Sequence, residues 1–426
     1  CSGALNFCDN YGFLYMTSTE NKKSENKKLP LEGVVVLDIT RVVAGPYSAM
    51  ILADLGATVI KIENPGDPDY TRNFPPFTKT DKESAFFAQY NRNKLGMTLN
   101  LKTAEGKKTL KQLVKKADVL IENFRPGAMN SLGLGYNDLK KENPALVYTS
   151  ISGFGQTGPK SSRPSFDNTG QAESGLWSMN GYPDRPPVRV GTIIGDLAAC
   201  FFGTIGTVVA LREAEKTGIG QLVDVAQVDS TLCLTESALL RYSVDGVEAT
   251  PTGNDHAFVR PYEQFSCKDG FVFFGGYNDK QWRETLKVFN CDDLASDPEI
   301  DTMHKRFNKD VYDRRIKPLI NGWFSRYTKA ELETMLADKV PLSPIKGIGE
   351  VVSDPQLIDR KMILDMPVLN EVVKVFGNPI KLSNMAETEV RRAPKLGEDN
   401  NIILKEMLNL NDDQINDLKE SGAISE

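Results

Sequence analysis

The chain contains little histidine, few cysteines and no excess of positive charge, and each shortage disfavours a class of function. Only His256 and His304 occur among 426 residues, so a multi-histidine metal site is not expected and a histidine-based triad has few candidates. The six cysteines are widely spaced and form no C-x-x-C pair, which is typical of a reducing compartment and predicts a cytoplasmic location. The net charge of −6 argues against non-specific binding to nucleic acid or membrane surfaces.

Long apolar runs are also lacking. No stretch of 18 or more residues is apolar and free of charge, so the sequence predicts no transmembrane segment. A chain of 426 residues is long enough for more than one domain. Residues 1–28 differ in texture from the rest, and we expect a disordered tail or a cloning remnant there, with Met16 as the native start.

The first half of the chain alternates β-branched runs with apolar helical patterns. The predicted strands cover residues 33–39, 58–62, 119–121 and 145–152, and the predicted helices cover residues 47–55 and 103–117. Alternation of this kind predicts an α/β protein with a doubly wound, Rossmann-like sheet over residues 29–225.

Aromatic residues become more frequent between about residues 225 and 330. A strand over 271–274 predicts a smaller α+β domain over residues 226–330. The helical patterns that follow cover residues 310–327, with a kink at Pro318, and residues 329–337 and 402–408, while residues 342–348 are predicted to be extended.

One glycine motif is a false match. Gly153-Phe154-Gly155-Gln156-Thr157-Gly158 fits the dinucleotide pattern G-x-G-x-x-G and follows a predicted strand. Pro159 and Pro164 come next, so no helix begins where a pyrophosphate would need a helix N-terminus. We therefore do not expect NAD binding. The first turn of the sheet, residues 40–46, is the better candidate for a ligand-facing loop.

Basic residues cluster at that edge of the sheet and would supply the local positive charge that an anionic ligand requires. They are Arg41, Arg72, Arg92, Lys94, Lys102 and Arg125. Arg125 differs from a solvated surface arginine because its run, Glu122 to Gly127, directly follows a strand, where loops of α/β sheets bind ligands.

Asp196 lies in the run Ile193-Ile194-Gly195-Asp196-Leu197-Ala198-Ala199. Its position before the apolar segment 197–211 favours a helix N-cap, because an aspartate oxygen there accepts an unpaired backbone N–H. The alternative is a catalytic carboxylate. The two roles are compatible, since helix N-terminal donors would keep the side chain ionised and able to attack a carbonyl.

Taken in order, these runs resemble the class III CoA-transferases, which include formyl-CoA transferase and carnitine CoA-transferase, and the related α-methylacyl-CoA racemases. The resemblance covers residues 29–424. The runs that carry it are Leu31-Glu32-Gly33, Ala44-Gly45-Pro46, Ala53-Asp54-Leu55-Gly56-Ala57, Val59-Ile60-Lys61-Ile62-Glu63, Glu122-Asn123-Phe124-Arg125-Pro126-Gly127, Ser152-Gly153-Phe154-Gly155, Gly195-Asp196 and Thr217-Gly218-Ile219-Gly220-Gln221.

The resemblance implies an acyl-transfer reaction with Asp196 as the catalytic nucleophile. Its carboxylate would attack an acyl-CoA thioester to give a mixed anhydride and CoA thiolate. The thiolate would then form an aspartyl-CoA thioester that passes CoA to an acceptor acid. Coenzyme A is substrate and product, and neither a metal nor a cofactor is expected.

The resemblance also implies the binding residues. The expected CoA-binding set is Arg41, Val42, Ala44, Leu99, Lys102, Asn123, Phe124, Arg125 and Ala128. Lys102 and Arg125 would neutralise CoA phosphates. The expected substrate pocket is formed by Phe166 and Asp167 near the thioester and by Gly275 and Gly276 in a loop that covers it. Arg41 either pairs with a carboxylate of a dicarboxylic substrate or makes only a surface contact.

The racemase alternative is weighed at one position. Racemases have His-Asp where this chain has Phe166-Asp167. Proton transfer at an α-carbon needs a base on each face, and phenylalanine is not a base, so transfer is favoured over isomerisation.

The implied assembly is a ring-like, interlocked homodimer. Each subunit would contain a CoA-binding domain (29–225), a small domain (226–330) and a C-terminal segment (331–426) that returns to the large domain. The expected partners are an acyl-CoA and a carboxylic acid, without nucleic acid or membrane.

Overall fold

A six-stranded parallel sheet forms the centre of the first of two compact units in the computed structural model, which describes residues 28–425. The strands are β1 (Val35–Asp38), β2 (Thr58–Glu63), β3 (Leu95–Thr98), β4 (Val119–Glu122), β5 (Val147–Ser152) and β6 (Leu222–Ala226). Their order is β3-β2-β1-β4-β5-β6, and every pair is parallel. The predicted α/β class is confirmed. In such sheets, ligands bind beyond the carboxyl ends of the strands where the order reverses, here beside β1.

Helices cover both faces of this sheet. They include α1 (Ala44–Asp54), α2 (Ala85–Asn91), α3 (Ala104–Val114), α4 (Ala128–Leu132), α5 (Tyr136–Leu139), α6 (Asp167–Glu173), α7 (Ile194–Thr217) and α8 (Gln227–Leu232). Successive strand residues point to opposite faces. Leu37 of β1 therefore belongs to a core with Leu110 of α3, while its neighbour Val36 belongs to a second core with Leu52 of α1 and Leu211 of α7.

The second compact unit comprises residues 177–189 and 240–354. Its antiparallel sheet contains β7 (Glu263–Cys267), β8 (Gly270–Phe274) and β9 (Leu342–Pro344). The helices in this part of the chain are α9 (Ala238–Asp245), α10 (Asp279–Val288), α11 (Met303–Arg306), α12 (Lys309–Val311), α13 (Lys317–Phe324), α14 (Lys329–Leu336) and α15 (Ile348–Val351). Its core combines aliphatic side chains with six buried aromatic ones, among them Phe265, Trp282 and Trp323.

The helix predicted over residues 310–327 is interrupted before Pro318 and not kinked at it. A π-helical turn at Tyr312–Ile316 joins α12 to α13, and Pro318 lies in the first turn of α13. Proline has no N–H to donate to the preceding turn, and the wider π turn ahead of it absorbs that loss.

Residues 355–425 belong to the first unit, whereas residues 331–354 of the expected C-terminal segment belong to the second. The part in the first unit contains α16 (Pro355–Asp359), a hairpin of β10 (Ile363–Val368) and β11 (Glu371–Phe376), α17 (Asn400–Leu408) and α18 (Asp412–Glu420). Gly96 N donates to Asp399 Oδ2 at 2.7 Å and Thr98 N donates to Asn400 Oδ1 at 2.9 Å, so this segment is bonded to β3. The sequence patterns did not predict the hairpin. The predicted tail lies outside the described residues except for Lys28.

Helix α7 has the length and mean hydropathy, 1.8, that a membrane span requires, and it is the one such helix within residues 28–425. Half of its most apolar 18-residue stretch is buried inside the protein. Ala210, Leu211 and Ala214 of α7 pack in the core on the sheet. The central helix of a large sheet has the same composition, so this single helix is weak evidence for a span.

Candidate functional site

A cavity of about 210 Å³ lies at the carboxyl ends of β1, β4, β5 and β6. Its lining comes from the loops that follow these strands and from the first residues of α7 and α8. Asp196 lines it together with Gln227, Ser165, Phe166, Val42 and Tyr70. The predicted nucleophile is therefore within reach of a ligand.

Asp196 is not the N-cap of its helix, so that expectation was wrong. Helix α7 begins at Ile194, its N-cap position is Ile193, and Asp196 lies in the first turn. The N–H groups of Gly195 and Asp196 instead donate to Asp167 Oδ1, at 2.7 and 3.4 Å. A carboxylate from α6 thus satisfies the start of α7. The Asp196 side chain is left facing the cavity.

Gly195 permits this close approach between α6 and α7. A Cβ atom at position 195 would lie 2.8 Å from the Asp167 carbonyl oxygen and 3.1 Å from Asp167 Oδ1. Any larger residue would push the two helices apart and break the hydrogen bonds to Asp167. The structure therefore explains why glycine precedes aspartate in this run. Gly195 leaves room for the Asp167 carboxylate that caps α7, and the Asp196 side chain is then free to line the cavity.

The electrostatic surroundings of Asp196 also differ from the expectation. Burial, together with the negative charge of Asp167, raises its pKa to about 7, and the hydrogen bond from Gln227 offsets only part of that rise. Helix donors were expected to hold the carboxylate firmly ionised, but Asp167 occupies them. Cys200, one turn further along α7, stays a neutral thiol because burial raises its pKa.

Gln227 is a site residue that the sequence patterns did not identify. It follows β6 directly as the first residue of α8, and its side chain is buried. Its Nε2 donates to Asp196 Oδ1, while its Oε1 accepts from Ser165 Oγ at 2.8 Å. The available signal was the run Leu222-Val223-Asp224-Val225-Ala226, which was not predicted to be a strand; a polar residue that follows a parallel strand lies at the ligand-binding edge of the sheet.

The loop after β1 is held in a strained shape next to Asp196. Val42 has a φ of 72°, which is costly for a β-branched residue, by about 1–3 kcal/mol. Two partners hold it there. The Asn123 side chain accepts from Arg41 N at 2.9 Å and donates to Arg41 O at 2.7 Å, and Asp69 Oδ2 accepts from Val42 N at 3.2 Å. The predicted ligand-facing loop is therefore fixed before any ligand binds.

A second cavity of about 290 Å³ adjoins the first, because Arg41 and Phe124 line both. Of the expected CoA-binding residues, the first cavity is lined by Arg41, Val42, Ala44, Asn123 and Phe124, and the second by Arg41, Leu99, Lys102, Phe124 and Ala128. Arg125 lines neither; it is exposed on the loop after Phe124. Lys102 lines the second cavity and Asp196 the first, so the two neighbouring cavities lie on either side of Arg41 and Phe124.

Three of the six basic residues at this edge have structural partners instead of facing a ligand. Arg72 Nη2 pairs with Glu63 Oε2 at 2.5 Å, Arg92 Nη2 with Asp54 Oδ2 at 2.6 Å, and Lys94 Nζ with Asp38 Oδ2 at 2.7 Å. The expectation of a six-residue ligand patch was wrong for these three. Sequence spacing does not reveal the carboxylates that the fold places beside them.

The expected substrate-pocket residues occupy different settings. Phe166 lines the cavity and is 70% exposed, so it does not serve the core. Asp167 is buried, and its Oδ2 accepts from Gln171 Nε2 at 2.8 Å. Gly275 and Gly276 follow β8 in the second unit, with the rings of Phe273 and Phe274 against them.

A family model described as CoA-transferase family III matches residues 31–400. The chain belongs to CoA-transferase family III. It is 36% identical over 377 residues to a succinyl-CoA:mesaconate CoA-transferase of Haloarcula hispanica, which covers 86% of this chain and 94% of that one. It is 37% identical over 396 residues to an acetyl-CoA:oxalate CoA-transferase of Acetobacter aceti, which covers 92% and 98%. A CAIB/BAIF family protein from Brucella suis has the same fold, with a TM-score of 0.79, 32% identity, and coverage of 89% of this chain and 100% of that one.

Family III membership confirms the resemblance and the predicted enzyme class. The expectation that no helix directly follows the Gly153–Gly158 motif is confirmed: turns follow it, and the next helix, α6, begins only at Asp167. The individual residues of the CoA-transferase site stay predictions, and their arrangement around the two cavities is the basis of the proposal below.

Proposed function

We propose that this family III CoA-transferase moves CoA from an acyl-CoA thioester to a free carboxylic acid through a covalent intermediate on Asp196. One observation carries the proposal: the Asp196 carboxylate lines the cavity while Asp167 satisfies the N–H groups of its helix. Its hydrogen-bond partner is a neutral amide and its neighbour is a second carboxylate. An anion stabilised so weakly is a good nucleophile once it is ionised.

The reaction consists of paired acyl exchanges. Ionised Asp196 attacks the thioester carbonyl, which gives a mixed anhydride and releases CoA thiolate. The thiolate then attacks the aspartyl carbonyl, releases the donor acid, and leaves an aspartyl-CoA thioester. The acceptor acid repeats these steps in reverse. Anhydride and thioester are both activated acyl groups, so neither half-reaction ends in a stable trap, and no cofactor takes part in any step.

The basic residues that remain beside the cavities fit a CoA substrate. Lys102 lines the second cavity, Arg125 directly follows Phe124, which also lines it, and both basic side chains are exposed. Arg41 lines both cavities, and its guanidinium pairs at 3.0 Å with Asp67, whose side chain is 72% exposed. Exposed pairs of this kind are worth about 0–1 kcal/mol, so a substrate phosphate or carboxylate displaces Asp67 at little cost.

The names of the relatives suggest the acceptor class. The two transferases described above are named for mesaconate and oxalate as acceptors, and both are dicarboxylic acids. We propose a dicarboxylic acceptor for this chain too. Arg41 at the junction of the cavities is the cation that would receive the second carboxylate.

Incubation with succinyl-CoA and single acids tests the proposal. We expect new CoA thioesters with mesaconate and oxalate, and a rate at least about tenfold lower with butyrate, which lacks the second carboxylate. Hydrolysis without transfer to any acid would contradict it. The racemase alternative is tested in D₂O with a 2-methylacyl-CoA, where α-deuterium incorporation without transfer would favour isomerisation over CoA transfer.

The pH dependence of transfer should report the ionisation of Asp196. Only the carboxylate attacks, and its pKa is raised to about 7, so kcat/KM should fall roughly tenfold per unit below about pH 6. Burial also raises the pKa of Glu122 to about 7, beneath the loop that carries Phe124. The Glu122→Gln variant should show the same fall of kcat/KM at low pH. If that fall disappears in the variant, the titrating group is Glu122 and not Asp196.

We further propose the cytoplasmic, ring-like homodimer, with a large CoA-binding domain, a small domain and a returning C-terminal segment. Exposed apolar side chains on α7 support a protein partner: Phe201, Phe202, Ile205 and Val209 are all more than 40% exposed. Exposed apolar side chains clustered within nine residues of one helix are typical of a protein–protein interface.

A further inference from the structure

Gln227 occupies a position that core packing alone does not require. Its amide lies between two polar side chains, Ser165 and Asp196, and bonds to both. Gly170 makes room for it, because a Cβ there would lie 3.2 Å from Gln227 Cβ. The fold thus brings three segments, residue 165 before α6, α7 and α8, together around one amide that faces the cavity.

The Ser165 contact sets the direction of that amide. The Ser165 hydroxyl donates to Oε1, so the NH₂ group of Gln227 is turned toward Asp196. An amide NH₂ group donates hydrogen bonds and does not accept them. Oδ1 of Asp196 is therefore held by a donor, and Oδ2 is the oxygen that remains for attack.

We infer that Gln227 is a catalytic residue that stabilises the negative charge on Asp196 Oδ1 each time the aspartyl carbonyl is attacked. The inference rests on the proposed covalent mechanism. Oδ2 forms the anhydride bond to the donor acyl carbon. CoA thiolate then adds to Cγ, and the electron pair of the Cγ–Oδ1 double bond moves to Oδ1. The Gln227 N–H lies at this oxygen. Collapse re-forms the carbonyl, breaks the Cγ–Oδ2 bond, and releases the donor acid with Oδ2 as one of its oxygens.

The second half-reaction uses the same donor. The acceptor carboxylate adds to Cγ of the aspartyl thioester, Oδ1 becomes negative again, and CoA thiolate leaves. In the anhydride and in the thioester Oδ1 is a neutral carbonyl oxygen that becomes negative as the nucleophile adds, and a donor placed at that oxygen lowers the barrier to each addition. Gln227 should therefore affect kcat much more than the binding of acyl-CoA.

Two substitutions separate this role from a structural one. Gln227→Met keeps the length of the side chain and removes the donor, and Gln227→Glu keeps its shape while placing an anion at Asp196. For both variants we expect kcat to fall by about 10²–10³-fold, with the KM for acyl-CoA within about threefold of wild type. The rate of aspartyl-CoA formation in a single turnover should fall by the same factor. Asp229→Asn, an exposed change on the same helix, is the control and should keep wild-type kcat.

The pH profile gives an independent readout. The Gln227 hydrogen bond favours the ionised form of Asp196, so its loss in Gln227→Met should move the acid limb of kcat/KM to higher pH. If the wild-type enzyme forms the aspartyl adduct and a folded Gln227→Met variant keeps a kcat within threefold of wild type, the inference about Gln227 is overturned and the proposed function stands. A wild-type enzyme that forms no adduct would overturn the proposed function, and this inference with it.

Discussion

Replacing Asp196 with asparagine is expected to lower kcat by at least about 10⁴-fold while CoA still binds. Asparagine keeps the shape of the side chain and still accepts the hydrogen bond from Gln227, but its amide oxygen does not attack a thioester as a carboxylate does. Steady-state transfer and calorimetric titration with CoA measure the two effects. Asp196→Ala should behave in the same way, and Asp229→Asn should remain active. Turnover by Asp196→Ala above about 0.01% of the wild-type rate would contradict the assignment.

The same Asp196→Asn substitution should stabilise the folded protein at pH 8. The pKa of Asp196 rises from 3.8 to about 7 on folding, so the folded state binds this proton more tightly than the unfolded chain. The ionised carboxylate therefore costs stability above pH 7, and the cost declines as the pH falls toward 4. Removing it should raise the free energy of unfolding by about 1–3 kcal/mol at pH 8, with little change at pH 4. Urea denaturation at both pH values measures the difference.

The largest loss of stability is expected for Lys94→Met, by about 3–5 kcal/mol at pH 7. Lys94 is buried, and its Nζ donates to Asp38 Oδ2 at 2.7 Å, to Pro46 O at 2.8 Å and to Asn91 Oδ1 at 2.9 Å. Burial alone would raise the pKa of Asp38, but Lys94 and Lys61 overcome it and hold that pKa below its usual value. Without Lys94, a buried carboxylate at the end of β1 loses its main counter-charge.

The matched controls for this prediction are a double variant and a surface pair. Asp38→Asn combined with Lys94→Met should recover part of the lost stability, because no uncompensated charge then remains buried. Lys115→Met removes an ion pair whose lysine is 54% exposed and should change stability by less than about 1 kcal/mol. Equal losses for Lys94→Met and Lys115→Met would contradict the argument from burial.

Four of the six strands of the parallel sheet, β1, β2, β4 and β5, could be predicted because each is a short run with a local β-branched signal, and parallel pairing follows from their alternation with helices. Strand β3 (Leu95–Thr98) and strand β6 (Leu222–Ala226) were not predicted. The choice of Asp196 as the nucleophile came from the family resemblance, because its position in the sequence alone favoured a helix N-cap. The hairpin at Ile363–Phe376 was missed because its strands are half exposed and one contains a proline, Pro367, which weakens the strand signal.

The chemistry around Asp196 could not be predicted, because it depends on residues distant in the chain. Asp167 reaches the start of α7 from 29 positions away and replaces Asp196 as its cap. Gln227 bonds to Asp196 from 31 positions beyond it. Arg92 and Lys94 looked like ligand-binding cations until the fold supplied Asp54 and Asp38 as partners. Such contacts have no sequence period, so propensity and spacing carry no trace of them.

Covalent trapping on a single residue tests the central claim most directly. The enzyme is incubated with succinyl-CoA without an acceptor, quenched with hydroxylamine, digested and examined by peptide mass spectrometry. We predict a hydroxamate on Asp196 that forms only when succinyl-CoA is present. The Asp196→Asn variant should give no hydroxamate at this position. An unmodified Asp196 with active transfer to mesaconate, or an adduct on Cys200 in its place, would contradict the account.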